Sequence, residues 1–208
     1  MINFRSIKIL SVILFISFVL SGCSAIKQVT QTLVNLQRLK FKLENVNGFR
    51  LAGVSLSDKK SISDFSLTDG LNLSKAFSSK SLPAQFVLNV AAINPNDGTG
   101  GSKQTTATLT SFEWQLYIDD VPTVSGNIER PIEIPGTGQQ SIIPLSIGLD
   151  LVKFFENKGY DGIINLALAI GGVNSSPARL KLDAKPTVST PFGAISSPRI
   201  TIVDKQFN

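Results

Sequence analysis

The chain has 208 residues, 20 Lys and Arg against 15 Asp and Glu, no histidine and a single cysteine. Lack of histidine excludes Ser-His-Asp and Cys-His catalysis and removes the commonest metal ligand, and one cysteine excludes a disulfide framework or a thiolate zinc cluster. An apolar fraction of 42% and a mean hydropathy of +0.18 can bury a core, which excludes a disordered polar chain.

Arg5 and Lys8 form a positive segment ahead of Ile9–Leu20, an apolar run of 12 residues broken only by serines. That length suits the apolar core of a signal peptide and falls short of the ~20 residues a spanning helix needs. Leu20-Ser21-Gly22-Cys23 follows at once and resembles the bacterial lipobox. There, small residues admit the signal peptidase and the cysteine becomes the lipidated first residue of the mature chain. Cys23 is thus the expected lipid attachment site, residues 1–22 the expected leader and residues 23–38 a tether. Ser24 suits sorting to the outer membrane, which places the protein in the cell envelope, facing the periplasm.

Charge follows the same division. Without residues 1–22, 18 basic residues face 15 acidic ones, a net of +3; from Asn47 onward 14 face 14, a net of zero. The sequence pI of about 9.4 describes leader and tether, and a basic nucleic-acid surface is not expected.

In the tether, Ile26, Val29, Leu33 and Leu36 fall at helical spacing, which predicts a short amphipathic helix. At Leu39 the period changes to two: Leu39, Phe41 and Leu43 alternate with Lys40, Lys42 and Glu44, and a folded domain over 39–208 begins there. Strands are predicted over 49–57, 62–67, 85–93, 106–119, 124–134, 139–147, 162–171, 178–185 and 198–204, with turn signals such as Asp69-Gly70, Asp97-Gly98 and Asp161-Gly162 between them. In "SFEWQLYIDD", Phe112, Trp114, Leu116 and Ile118 share one face. One helix is predicted after Asp150, with Leu151, Phe154 and Phe155 on one side and Gly159 ending it. Many short strands with one short helix predict an all-β antiparallel sandwich.

The run "FVLNVAAINPNDG" over 86–98 ends abruptly. Pro95 removes a backbone donor, Asn94 is pushed toward extended geometry by the proline after it, and Asn96 begins a turn. Asn94, Pro95 and Asn96 are expected to end a core strand at one pole, their amides satisfying loop backbone. This run, followed by "TSFEWQLYIDDVPTVSGNIERPIEIPGTGQQSIIPLSIGLDL", resembles the type 2 late embryogenesis abundant proteins, the water-stress and hypersensitive-response domain, over about residues 40–187. The resemblance implies a fibronectin-III or immunoglobulin-like sandwich with one short helix, a part in desiccation or stress protection, and no catalytic activity. This sequence departs from the pattern in the longer loop "DGTGGSKQTTAT" and in residues 188–208, which add a terminal strand.

Asp119 and Asp120 are adjacent and would point to opposite faces of a strand, with a hairpin turn expected at Asp120-Val121-Pro122. Glu129 and Glu133 could share a strand face, where exposed carboxylates are ordinary. "NPNDGTGG" lacks the closing glutamate of a calcium loop, and no phosphate-cradling or dinucleotide motif occurs. No catalytic residue, metal or cofactor is therefore expected. The expectation is a non-catalytic, lipid-anchored envelope protein that binds or shields envelope components, held to the membrane by its N-terminal lipid. The alternative is an assembly or adhesion lipoprotein that docks one envelope protein.

Overall fold

The computed structural model describes residues 34–99, 104–190, 193–204 and 207. Cys23, the lipobox residues Leu20, Ser21 and Gly22, and the tether as far as Leu33 lie outside them.

Two antiparallel sheets carry the core. In the first, β1 (Lys40–Leu51), β2 (Val54–Ser55), β3 (Pro83–Ile93) and β7 (Gln140–Asp150) lie in the order β2-β1-β3-β7. The second is built on β4 (Ala107–Ile118) and β8 (Leu180–Thr190), paired from Leu109↔Val188 to Ile118↔Leu180. β5 (Val121–Gly126) and β6 (Ile132–Ile134) flank β4, and β9 (Gly193–Ser196) and β10 (Ile200–Ile202) flank β8. The two sheets meet face to face: the Phe41 ring on β1 lies 5.4 Å from the Phe112 ring on β4. The expected alternation is present, with Phe41, Leu43, Phe112, Trp114, Leu116 and Ile118 buried. The fold is an antiparallel β-sandwich.

Its helices exceed the one expected. α1 (Leu67–Ser78) starts at Ser66, whose hydroxyl accepts from Asp69 N at 3.1 Å while the Asp69 carboxylate accepts from Ser66 N at 3.2 Å. This reciprocal cap satisfies two orphan donors of the first turn. The strand predicted over 62–67 is replaced by a 3-10 turn, Ile62–Asp64, and the start of α1. α2 (Leu151–Phe155) is the helix expected after Asp150, whose carboxylate accepts from Val152 N at 3.1 Å. It gives way at Glu156 to a 3-10 turn, and Gly159, at φ 66°, opens α3 (Gly159–Gly171). The strand predicted over 162–171 is therefore a helix. Seven of its residues, Ile163 to Gly171, are buried on several sides, and such an all-round apolar run has no period that separates helix from strand.

The predicted strand 124–134 is also divided. Gly126 ends β5 and Ile132 opens β6, and residues 127–131 swing away from β4 between them. Asn127 Oδ1 accepts from Phe112 N at 2.7 Å and from Ile128 N at 2.8 Å, replacing the ladder bond the excursion removes. The hairpin from β4 to β5 turns at Asp119 and Asp120 themselves, φ 48° and 62°, with Ile118 paired to Val121. Two consecutive positive φ values are the hairpin geometry that asparagine, aspartate and glycine tolerate, so the turn lies one residue ahead of the expected one.

The edges of the first sheet differ. β1 is sealed near its start by a hydrogen bond from Leu43 N to Val203 O at 3.0 Å, just beyond β10. β7 pairs with β3 on one side only.

Candidate functional site: the Asn94–Asn96 pole and its surroundings

β3 delivers Asn94, Pro95 and Asn96 to one pole of the sandwich, where Asn94 is fully buried and Asn96 is 1% exposed. One Asn94 amide satisfies four polar partners. Its Nδ2 donates to Thr105 O at 2.8 Å and Ile134 O at 2.9 Å; its Oδ1 accepts from Asn96 N at 3.1 Å and Asn96 Nδ2 at 2.8 Å. The backbone joins in, with Gly138 N on Asn94 O at 3.2 Å and Thr105 N on Asn96 O at 3.0 Å. Pro95, between the two, needs no donor partner. A Cβ at Gly136 would sit 2.4 Å from both Asn96 O and Thr105 O, so only glycine lets the segment after β6 pass this close. The node thus ties β3, the start of β4, the end of β6 and the entry to β7 together.

The chain preceding β1 docks on the same node. Residues 34–37 are helical, Leu36 is 3% exposed within the core, and Asn96 Nδ2 donates to Asn35 O at 3.2 Å. The packed domain therefore takes in Leu36, ahead of the expected start at Leu39. Asn96 Oδ1 is buried without a hydrogen-bond partner. The neighbouring Asp97 carboxylate accepts from the Thr99 hydroxyl at 2.7 Å and from Thr99 N at 2.9 Å, and these bonds hold it below the usual aspartate range. Every bond made by Asn94 is internal to the fold, so the arrangement is a clamp that closes one end of the sandwich.

The opposite pole is helical. Phe77 of α1 meets Tyr160 of α3 edge to face at 5.5 Å, and burial there pushes the Tyr160 phenol above its usual range. Leu67 and Leu71 lie one turn apart on α1 and are 82% and 63% exposed. At the nearby β4–β5 turn, Arg179 grips both oxygens of Asp119 at 3.0 and 2.9 Å, Lys158 approaches the same carboxylate at 3.2 Å, and Lys181 pairs with Asp120 at 3.1 Å. These charges serve one another. Glu133 lies on β6, whereas Glu129 lies in the 127–131 excursion, so the two are not neighbours on one strand.

Beside β7 runs an open slot of about 770 Å³, lined on one wall by residues 127–132 and on the other by Ile142, Pro144, Leu145 and Ser146. Sequence reading missed it because it exists only where β5–β6 is interrupted. "NIERP" within an otherwise alternating run is the signal that could have marked the break. Among the described residues, no group of three or more Asp, Glu, His or Cys could hold a metal, and no helix is long and apolar enough to cross a membrane.

No family model matches the chain, and no curated protein matches it. Two solved structures show distant likeness. A protein from Archaeoglobus fulgidus is 10% identical, with 80% of this chain and 94% of that one covered and a TM-score of 0.33. The solution structure of AT1g01470 from Arabidopsis thaliana is 13% identical, with 80% and 83% covered and a TM-score of 0.29. Neither likeness bears on the argument at these scores.

Proposed function

We propose that the protein is a non-catalytic, lipid-anchored module of the cell envelope, attached through Cys23, that binds or shields envelope components in the manner its resemblance to the type 2 late embryogenesis abundant proteins implies. The observation that carries this reading is the docking of residues 34–38 on the Asn94–Asn96 clamp. A chain leaving from there toward Cys23 departs from one pole. The helical pole, with Leu67 and Leu71 exposed, lies at the other end of the sandwich. The segment from Cys23 to Val34 reaches at most about 40 Å when extended, so the sandwich stays close to the membrane. Two or more acyl chains would dominate attachment, with the basic tether assisting.

A second reading, docking of one specific envelope protein, is favoured by the exposed Leu67–Leu71 pair on α1. Photo-crosslinkers placed singly at Leu71 and at Lys40 in intact cells separate the two. Shielding predicts diffuse adducts of similar pattern from both positions. Specific docking predicts one discrete protein adduct from Leu71 and none from Lys40.

A further inference from the structure

β3 shows which way the backbone of β7 points. Pro83 O accepts from Ala52 N on the β1 side at 2.7 Å, whereas Leu82 O accepts from Leu151 N on the β7 side at 3.0 Å. Alternation along β3 then turns Ala84, Phe86, Leu88, Val90 and Ala92 toward β7, where the register sets them opposite Leu149, Ile147, Leu145, Ile143 and Ser141. The intervening residues Ile142, Pro144 and Ser146 direct their backbone groups away from the sheet. Among the described residues, no hydrogen bond reaches these outward groups. Pro144 fits this parity, since its missing N–H falls where the fold has no use for a donor.

Ile142, Pro144 and Ser146 also line the slot, whose far wall is the 127–131 excursion. Two donors (Ile142 and Ser146) and three acceptors (adding Pro144 O) stand in a row about 14 Å long. Such a row is complementary to an extended backbone. The side chains define the rest of the occupant. Val87, Ile128, Ile142 and Pro144 offer apolar surface, while Glu129 and Arg130 line the same slot and cancel in charge. A second copy of β7 would bring its own Pro144 and its own excursion into the same space; a lone extended segment brings neither.

We infer that the slot between β7 and residues 127–131 receives one short extended segment of a partner polypeptide. The segment is uncharged, carries apolar side chains at alternate positions, and adds as a strand to Ile142, Pro144 and Ser146. This inference does not depend on the lipid anchor.

The test uses the full chain in detergent micelles and, as probe, the acetylated and amidated heptapeptide Thr-Val-Thr-Val-Thr-Val-Thr. Saturating peptide is expected to slow amide hydrogen exchange at Ile142 and Ser146 about tenfold or more, leaving β5 and β9 unchanged. Ser146→Pro removes an outward donor the fold does not use and should weaken binding about fivefold; Pro144→Thr supplies a donor and should strengthen it by a similar factor. Because Pro144→Thr relieves a backbone restriction, it decides the matter even where Ser146→Pro fails to fold. Unchanged exchange at Ile142 and Ser146, protection at other edges instead, or equal affinity of Pro144→Thr and the unaltered chain would overturn the inference.

Discussion

Asn94 holds its pole through geometry that no other side chain reproduces. Two donors on one nitrogen reach carbonyls of two different segments while the oxygen receives both nitrogens of Asn96. Asn94→Ala leaves those buried carbonyls unsatisfied and should cost about 2–4 kcal/mol in a thermal or urea melt. Asn94→Asp keeps the shape but aims a carboxylate oxygen at two carbonyl oxygens. At neutral pH it should cost more than Asn94→Ala. The sign with pH follows: burial against acceptors raises the carboxyl's folded-state pKa above its unfolded value, so stability relative to the unaltered chain is best below the ordinary aspartate range and falls as pH rises. Urea midpoints for both variants between pH 4 and pH 7 check this. A melt unchanged by either substitution would make the pair a surface feature rather than a clamp.

At the scale of elements, the sequence was most legible where one face is buried and the other wet. Leu39–Leu43 and Phe112–Ile118 alternate in sequence and in burial, so their strands could be read directly. α3 could not, because Ile163, Ile164, Leu166, Ala167, Leu168 and Ile170 are buried around most of the helix and leave no contrast of period. α1 lay hidden for the opposite reason. Its Leu67 and Leu71 face solvent, so the apolar pattern misled, while the reciprocal Ser66–Asp69 cap was the signal that marked it. The Asn-Pro-Asn stop was readable from proline and turn chemistry, but its partners Thr105, Ile134 and Asn35 are remote in sequence and only folding brings them together. Helix and sheet meet most closely where Gly171 of α3 faces Phe49 of β1: a Cβ there would lie 2.2 Å from the Phe49 Cβ and Cγ. Phe49 is itself stacked on Phe86 at 4.9 Å and has no room to retreat. Gly171→Ala should therefore lower stability by about 1–3 kcal/mol despite alanine's better helix propensity, read as a lowered melting temperature. A neutral or stabilising Gly171→Ala would show that α3 is not seated on the sheet as described.

For the whole molecule, the sandwich and the chain that leads into it at Asn35 and Leu36 form one folding unit. Leu36 is buried, and Asn35 O takes a donor from Asn96. A soluble chain beginning at Leu39 should still be β-rich and melt cooperatively, because the two sheets bury their apolar faces against each other. It should be about 1.5–3 kcal/mol less stable than one beginning at Val34, the difference a buried leucine side chain makes. Neither chain should bind anionic vesicles appreciably at physiological salt, since the neutral residues from Asn47 onward are preceded only by Arg38, Lys40 and Lys42 against Glu44, a net charge of +2 from Val34 and +1 from Leu39. Salt-resistant binding by the shorter chain would assign the membrane contact to the sandwich itself. The anchor is the claim on which the functional reading turns, and mass spectrometry of the N-terminal peptide of the protein from its native membrane tests it most directly. Residues 1–22 should be absent and Cys23 should carry acyl chains, with Cys23→Ala leaving an unprocessed precursor; a retained leader, or an unmodified thiol on Cys23, would contradict the account.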